Sequence, residues 1–164
     1  MRTHESDILP VMSGPAVPPG SRRFKVNVWR SLMEVHAAVL GEIERELTDR
    51  HGLSLNEFDA LVNIPRDGVR LGELTQRVVL SQSAISRLID RLERRGFVVR
   101  EEVVGDSRGV IVRLTPEGRK VLYPAVRTNA DVIERAFADW LRPEELETLD
   151  TAFTRLLTTR TISS

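Results

Sequence analysis

Between residues 82 and 94 the sequence sets Gln82, Ser83, Ser86, Arg87, Arg91 and Arg94 at steps that share one side of a helix. The same side also carries Asp90. Their chemistry is that of hydrogen bonding to nucleic acid. A glutamine can pair bidentately with an adenine edge and an arginine with a guanine edge, both in the major groove. Serine hydroxyls can bond bases or phosphates, and the free amides at a helix start favour a phosphate near Ser81. Arg91 and Arg94, further along, are better placed for the sugar-phosphate backbone. A second group lies in residues 105–109 (GDSRG), where Arg108 sits at the tip of a glycine-bounded turn. A guanidinium on a narrow loop suits the negative potential of a minor groove, and Asp106 could hold it in place through an ion pair. Arg77, Ser81 and Arg113 are further candidates for phosphate contact, although either arginine could equally pair with a nearby carboxylate. Taken singly, each set also fits a plainer reading, a solvated helix face and a turn charged for solubility.

These side chains need elements to hold them, and the hydrophobic pattern supplies a sequence of such elements. Residues 1–20 read as a disordered tail, broken by Pro10, Gly14, Pro15, Pro18, Pro19 and Gly20. Over residues 22–50, Trp29, Leu32, Val35, His36, Val39, Leu40, Ile43 and Leu47 recur at three- and four-residue steps, one apolar stripe of a long helix. Ser54 and Glu57 form a capping-box pattern that opens a short helix through Phe58, Leu61 and Val62. A third helix starts near Leu71 and turns Leu71, Leu74 and Val78 inward. Ser81 is a suitable N-cap for a fourth, whose apolar side is Ile85, Leu88, Ile89 and Leu92 and whose end is marked by Gly96. The period then shortens: residues 97–104 and 110–114 are rich in β-branched residues and predict a hairpin. Thr115 and Pro116 restart helix, which runs with Val121, Leu122, Val126, Val132, Ile133 and Phe137 towards Trp140. Pro143 opens a last helix carrying Leu146, Leu149, Phe153, Leu156 and Leu157.

Two short helices separated by about four residues and followed by a hairpin make a winged helix-turn-helix, with the first helix bracing the second against the major groove. The charge distribution agrees with this. The chain has 24 basic and 24 acidic residues, but residues 70–120 hold eleven basic against seven acidic, leaving the flanks acidic. A basic middle between acidic ends is expected where one segment meets phosphates. Other classes find little support. The chain has no cysteine, which excludes disulfides, thiolate nucleophiles and cysteine-zinc sites. His4, His36 and His51 have no metal-ligand spacing. There is no nucleotide-binding glycine loop and no nucleophile elbow. The carboxylate pairs Glu101–Glu102 and Glu144–Glu145 look like solvated positions, so neither an enzyme nor a bound cofactor or metal is expected. No apolar run approaches the roughly 20 residues of a membrane span. Glu5 and Asp7 precede a broken apolar stretch unlike a secretion signal, so a cytoplasmic location is expected.

The run LSQSAISRLIDRLERRGFVVREEVVGDSRGVIVRLTPEGR over residues 80–119 resembles the core of the MarR family, the multiple antibiotic resistance-type regulators. Its most specific piece is the D-x-R turn leading into R-L-T-P-E-G. The resemblance extends from about residue 22 to the end of the chain. It implies a mainly α fold with a small β wing (α+β): a winged helix-turn-helix lobe over 53–115, with dimerisation helices over 21–52 and 116–164. It further implies a homodimer on a palindromic operator in double-stranded DNA, usually as a repressor, with the wing arginine and its supporting aspartate at Arg108 and Asp106. Because a palindrome requires two copies, the apolar side chains of the last helices are expected to pack against a partner rather than only on their own core. Many relatives release DNA when a small aromatic or anionic effector binds between the two lobes. Some urate-type members carry a tryptophan and an aspartate like those here, so Trp29, His36 and Asp59 are the candidate effector pocket, against the simpler role of core filler and ion-paired helix residue. The alternative function is a winged-helix module for protein contact without DNA.

Overall fold

The computed structural model describes residues 18–78, 80–102 and 110–161. Six α-helices and a small antiparallel sheet make a mainly helical α+β fold: α1 (Arg22–His51), α2 (Leu55–Val62), β1 (Val69–Arg70), α3 (Leu71–Arg77), α4 (Gln82–Arg94), β2 (Val98–Glu102), β3 (Val110–Leu114), α5 (Pro116–Ala136) and α6 (Pro143–Thr161). The chain divides into two compact units, Met1–His36 and Ala37–Ser164.

In the first unit the start of α1 is closed by Ser21, whose Oγ accepts from the Phe24 amide at 3.2 Å. Of the apolar stripe read from the sequence, Trp29 (61% exposed), Val35 and His36 stay open in this unit while Leu32 is half-buried; Val26, Val28 and Met33, outside the stripe, are exposed as well.

The second unit holds the core. Leu47, Leu53, Leu61, Leu74, Ile85, Ile89, Leu92, Val98, Val112 and Val132 are fully buried, so α1 to α5, β2 and β3 each contribute a fully buried side chain. Burying one such side chain stabilises the fold by about 1.5–3 kcal/mol. The helix starts follow their capping signals. Ser54 and Glu57 close a complete capping box on α2. Ser81 Oγ accepts from the Ala84 amide at 3.3 Å to start α4, and Thr115 Oγ1 accepts from the Gly118 amide at 2.9 Å to start α5. The end of α4 is a Schellman turn: the Gly96 amide donates to Glu93 O and the Phe97 amide to Leu92 O. Gly96 takes φ +73° there, a conformation a Cβ penalises.

Two features depart from the expected elements. Val69 and Arg70, to which the sequence pattern assigned no element, form a third strand opposite Val112 and Ile111 of β3, so the strand order is β1-β3-β2. The fifth helix ends at Ala136, and Ala138–Trp140 is a separate 3₁₀ turn. The predicted hairpin is present in its paired part, with Val98 opposite Leu114 and Glu102 opposite Val110. Gly118 lets α5 pack against the turn that leads into β2, since a Cβ there would stand 2.1 Å from Phe97 O.

Candidate nucleic-acid interface

Helix α4 is the most sharply two-sided element of the chain. Ile85, Leu88, Ile89 and Leu92 bury one side, and Gln82, Ser83, Arg87, Asp90, Arg91 and Arg94 are exposed on the other. Ser86, also on the polar side, is half-buried. This separation follows directly from the sequence spacing. What the fold adds is the sorting of the charged side chains into engaged and free ones.

Arg91 is engaged. Its Nε donates to Glu57 Oε1 of α2 at 2.8 Å, and Arg95 Nη1 lies 3.0 Å from the same oxygen. Glu57 is buried, at 4% exposure, and its other oxygen accepts from the Ser54 amide at 2.9 Å. Burial pushes the Glu57 carboxyl up, but the Ser54 amide and the Arg95 and Arg91 guanidiniums outweigh it and hold the group below its ordinary value. One carboxylate therefore caps α2 and anchors two arginines at the end of α4. The capping box was legible in the sequence; its second use was not, because the arginines lie 34 and 38 positions away.

On its other flank α4 is gripped by Arg100 of β2, a residue that sequence reasoning passed over. Arg100 Nη1 donates to Glu93 Oε2 at 2.5 Å and Nη2 to Asp90 Oδ1 at 2.6 Å. Its amide also donates to Glu93 Oε1 at 3.1 Å. No short-range pattern signals it, because the partners lie seven and ten positions apart across a turn.

By contrast, Arg87 and Arg94 have no hydrogen-bond or ion-pair partner among the described residues. Arg87 lines a shallow recess with Arg91, Leu88, Ala84, Leu80 and Asn56 of α2. Gln82 lines a separate groove with Thr75 and Gln76 of α3 and Val110 of β3. Ser83 Oγ lies 3.3 Å from Ser81 Oγ. The remaining phosphate candidates are partly occupied: Arg77 donates to Asn63 O at 3.4 Å, and Arg113 donates to Glu101 Oε2 at 2.7 Å and to Asp67 O. Asp106 and Arg108 lie outside the described residues.

The three effector candidates are distributed over the two units. Trp29 and His36 are exposed in the first. Asp59, in the second, is half-buried beside Asn63, whose Nδ2 donates to its Oδ1 at 3.2 Å, and burial raises its carboxyl above the ordinary value. The second unit also carries an open groove of about 1080 Å³ that the sequence did not suggest. Val62, Ile64, Leu122 and Val126 supply an apolar lining, Tyr123 a phenol, and Arg66, Arg119, Lys120 and Arg127 the positive charge. Among the described residues no group of three or more His, Asp or Glu side chains is arranged to hold a metal ion. No described helix is long and apolar enough to cross a membrane.

Comparison with known proteins gives consistent likenesses. The family profile described as MarR family matches residues 51–109. The uncharacterised HTH-type transcriptional regulator YkoM of Bacillus subtilis is 31% identical over 125 residues, spanning 76% of this chain and 80% of that one. Among solved structures, AbsC, a MarR family transcriptional regulator from Streptomyces coelicolor, superposes with a TM-score of 0.75 at 27% identity, covering 86% of this chain and 96% of that one. Sco3205, a MarR family regulator from the same organism solved in complex with DNA, superposes with a TM-score of 0.73 at 28% identity, covering 84% and 90%.

Proposed function

Because the chain belongs to the MarR family of winged helix-turn-helix transcriptional regulators, we propose that it acts as a homodimeric repressor that binds a palindromic DNA operator and is released by a small aromatic or anionic effector. The observation that carries the DNA reading is the pair Arg87 and Arg94 on the exposed side of α4. Among the described residues they are cations without counter-ions, while the neighbouring charges are neutralised within the protein. Unpaired guanidiniums on a helix held rigidly from both flanks suit base edges and phosphates. Gln82, Ser83 and Ser86 extend the major-groove set, Arg91 adds its outer nitrogens, and Asp106 with Arg108 reaches the minor groove. Arg77, Ser81 and Arg113 contact phosphates.

The dimer reading rests on the apolar side chains left open in both units, Val28 and Trp29 in one and Trp140, Phe153 and Leu156 in the other. A surface of this kind normally marks an association site. For the effector, the groove of Tyr123, with its apolar lining and four cations, fits an amphipathic anion better than Trp29, His36 and Asp59 do. Cytoplasmic action follows from an operator as target.

In vitro selection of duplex DNA with the purified protein tests this reading. Enrichment of an inverted repeat with half-sites about one helical turn apart is the expected outcome. If no duplex is bound even at low ionic strength, the reading fails and protein contact becomes the better one. A reporter fused to the selected sequence then decides the sign of regulation.

A further inference from the structure

The acidic residues of α4 pose a problem for a DNA-reading surface. Asp90 follows Ser83 by seven residues and Ser86 by four, so it stands on the same side as the base-reading candidates. Its side chain is 52% exposed, and Glu93, one turn on, is 38% exposed. Two carboxylates there would repel phosphates and each other. Both are met by one guanidinium. Arg100, only 24% exposed, spends one terminal nitrogen on each carboxylate, and Nη2 also reaches Ser86 O at 3.4 Å. The Arg100 amide donates to Glu93 as well, so the carboxylate covers the outer edge of β2, the strand that lies at the margin of the sheet. Two residues further on, β2 ends and leads into the segment containing Asp106 and Arg108.

We propose that Arg100 supports DNA binding through α4: held where β2 meets the helix, it offsets one of the two carboxylate charges that would otherwise oppose the DNA. The proposal rests on the DNA reading above and concerns a residue that makes no DNA contact itself. Glu57 performs the mirror-image task on the opposite flank, one acid holding Arg91 of α4 and Arg95 just past its end, so α4 is fastened between two clamps of opposite net charge.

The test uses the full-length protein, the duplex obtained by selection, and titrations over a range of salt. Arg100→Gln should weaken binding about ten-fold, because it uncovers two negative charges at the interface. Adding Asp90→Asn and Glu93→Gln to Arg100→Gln should restore most of that loss. A role confined to holding the fold predicts the opposite, since the triple variant has lost the same bonds as the single one. The double variant Asp90→Asn/Glu93→Gln, with Arg100 intact, should bind non-specific duplex more tightly than wild type and with a steeper dependence on salt, as the freed guanidinium adds counter-ion release. Thermal melts and light scattering accompany each variant. The proposal is overturned if Arg100→Gln binds like wild type, or if the triple variant stays as weak as the single one while folded and dimeric. Loss of folding in Arg100→Gln leaves the double variant to decide: an unchanged salt dependence overturns the proposal. A wild type that binds no duplex overturns the DNA reading and this proposal with it, a result separable from either of the others.

Discussion

The arginines of this chain are not equivalent, and their partners separate them. Arg87 and Arg94 are free of partners among the described residues, Arg91 is held on Glu57, and Arg113 is held on Glu101 and the Asp67 carbonyl. Arg87→Ala should therefore cost about 1–3 kcal/mol of specific DNA binding, with an unchanged melting temperature, as fluorescence anisotropy and calorimetry would register. Arg113→Ala should weaken DNA binding less and destabilise the fold instead. Glu57 makes a prediction of the stability kind. Replacing it by glutamine leaves Arg91 and Arg95 without their charged partner and should destabilise the protein by about 1–3 kcal/mol. Its carboxyl is held below the ordinary 4.5 in the fold, so its contribution is fully present above that value and is lost as pH falls through the lowered one. The stability gap between wild type and Glu57→Gln should accordingly be constant at neutral pH and close as acidification proceeds below 4.5. A gap that stays open in acid would contradict this account of the group.

At the level of elements, short-range chemistry decides most boundaries, which is why so many were legible. Ser54, Ser81 and Thr115 cap the helices their positions announce, because a cap needs only a side-chain oxygen and an amide three residues on. The two-residue strand β1 was missed for the complementary reason. Two residues carry no periodicity, and Val69 becomes a strand only because Val112 lies opposite it, 43 positions later. The contact of α5 with the turn before β2 was equally invisible, although it makes Gly118 irreplaceable in a sense that the helical pattern alone would deny. Gly118→Ala should raise helix propensity locally yet destabilise the protein by about 1–3 kcal/mol through the clash with Phe97 O, read as a lower urea midpoint. Gly96→Ala meets open space but a positive φ, and should cost about 1–2 kcal/mol.

The whole molecule shows an imbalance between what it buries and what it leaves open. The second unit buries a continuous core, yet Trp140 is 81% and Leu156 56% exposed, and Trp29 in the first unit is 61% exposed. If these side chains serve the proposed dimer, Leu156→Asp should shift the protein from dimer to monomer in size-exclusion chromatography with light scattering. It should also reduce affinity for a palindromic duplex far more than for a single half-site. A variant that stays dimeric with unchanged binding would remove α6 from the interface. The net charge of zero belongs to this scale too: it does not oppose DNA binding, because the positive excess is confined to residues 70–120.

The sequence by itself determined the order of the helices, their caps, the two-sided character of α4, the hairpin strands and the family resemblance. All of these rest on residues within a few turns of one another, where spacing maps onto geometry. Tertiary structure decided which charges on α4 are available. Arg91 looked as free as Arg87 along the chain, and Asp90 looked like an ordinary solvated acid. Their partners, Glu57 and Arg100, reach α4 from a separate helix and a strand. Ion pairing depends on distances of 2.5–2.8 Å between atoms of different elements, and no periodicity encodes those. Folding alone brings them together.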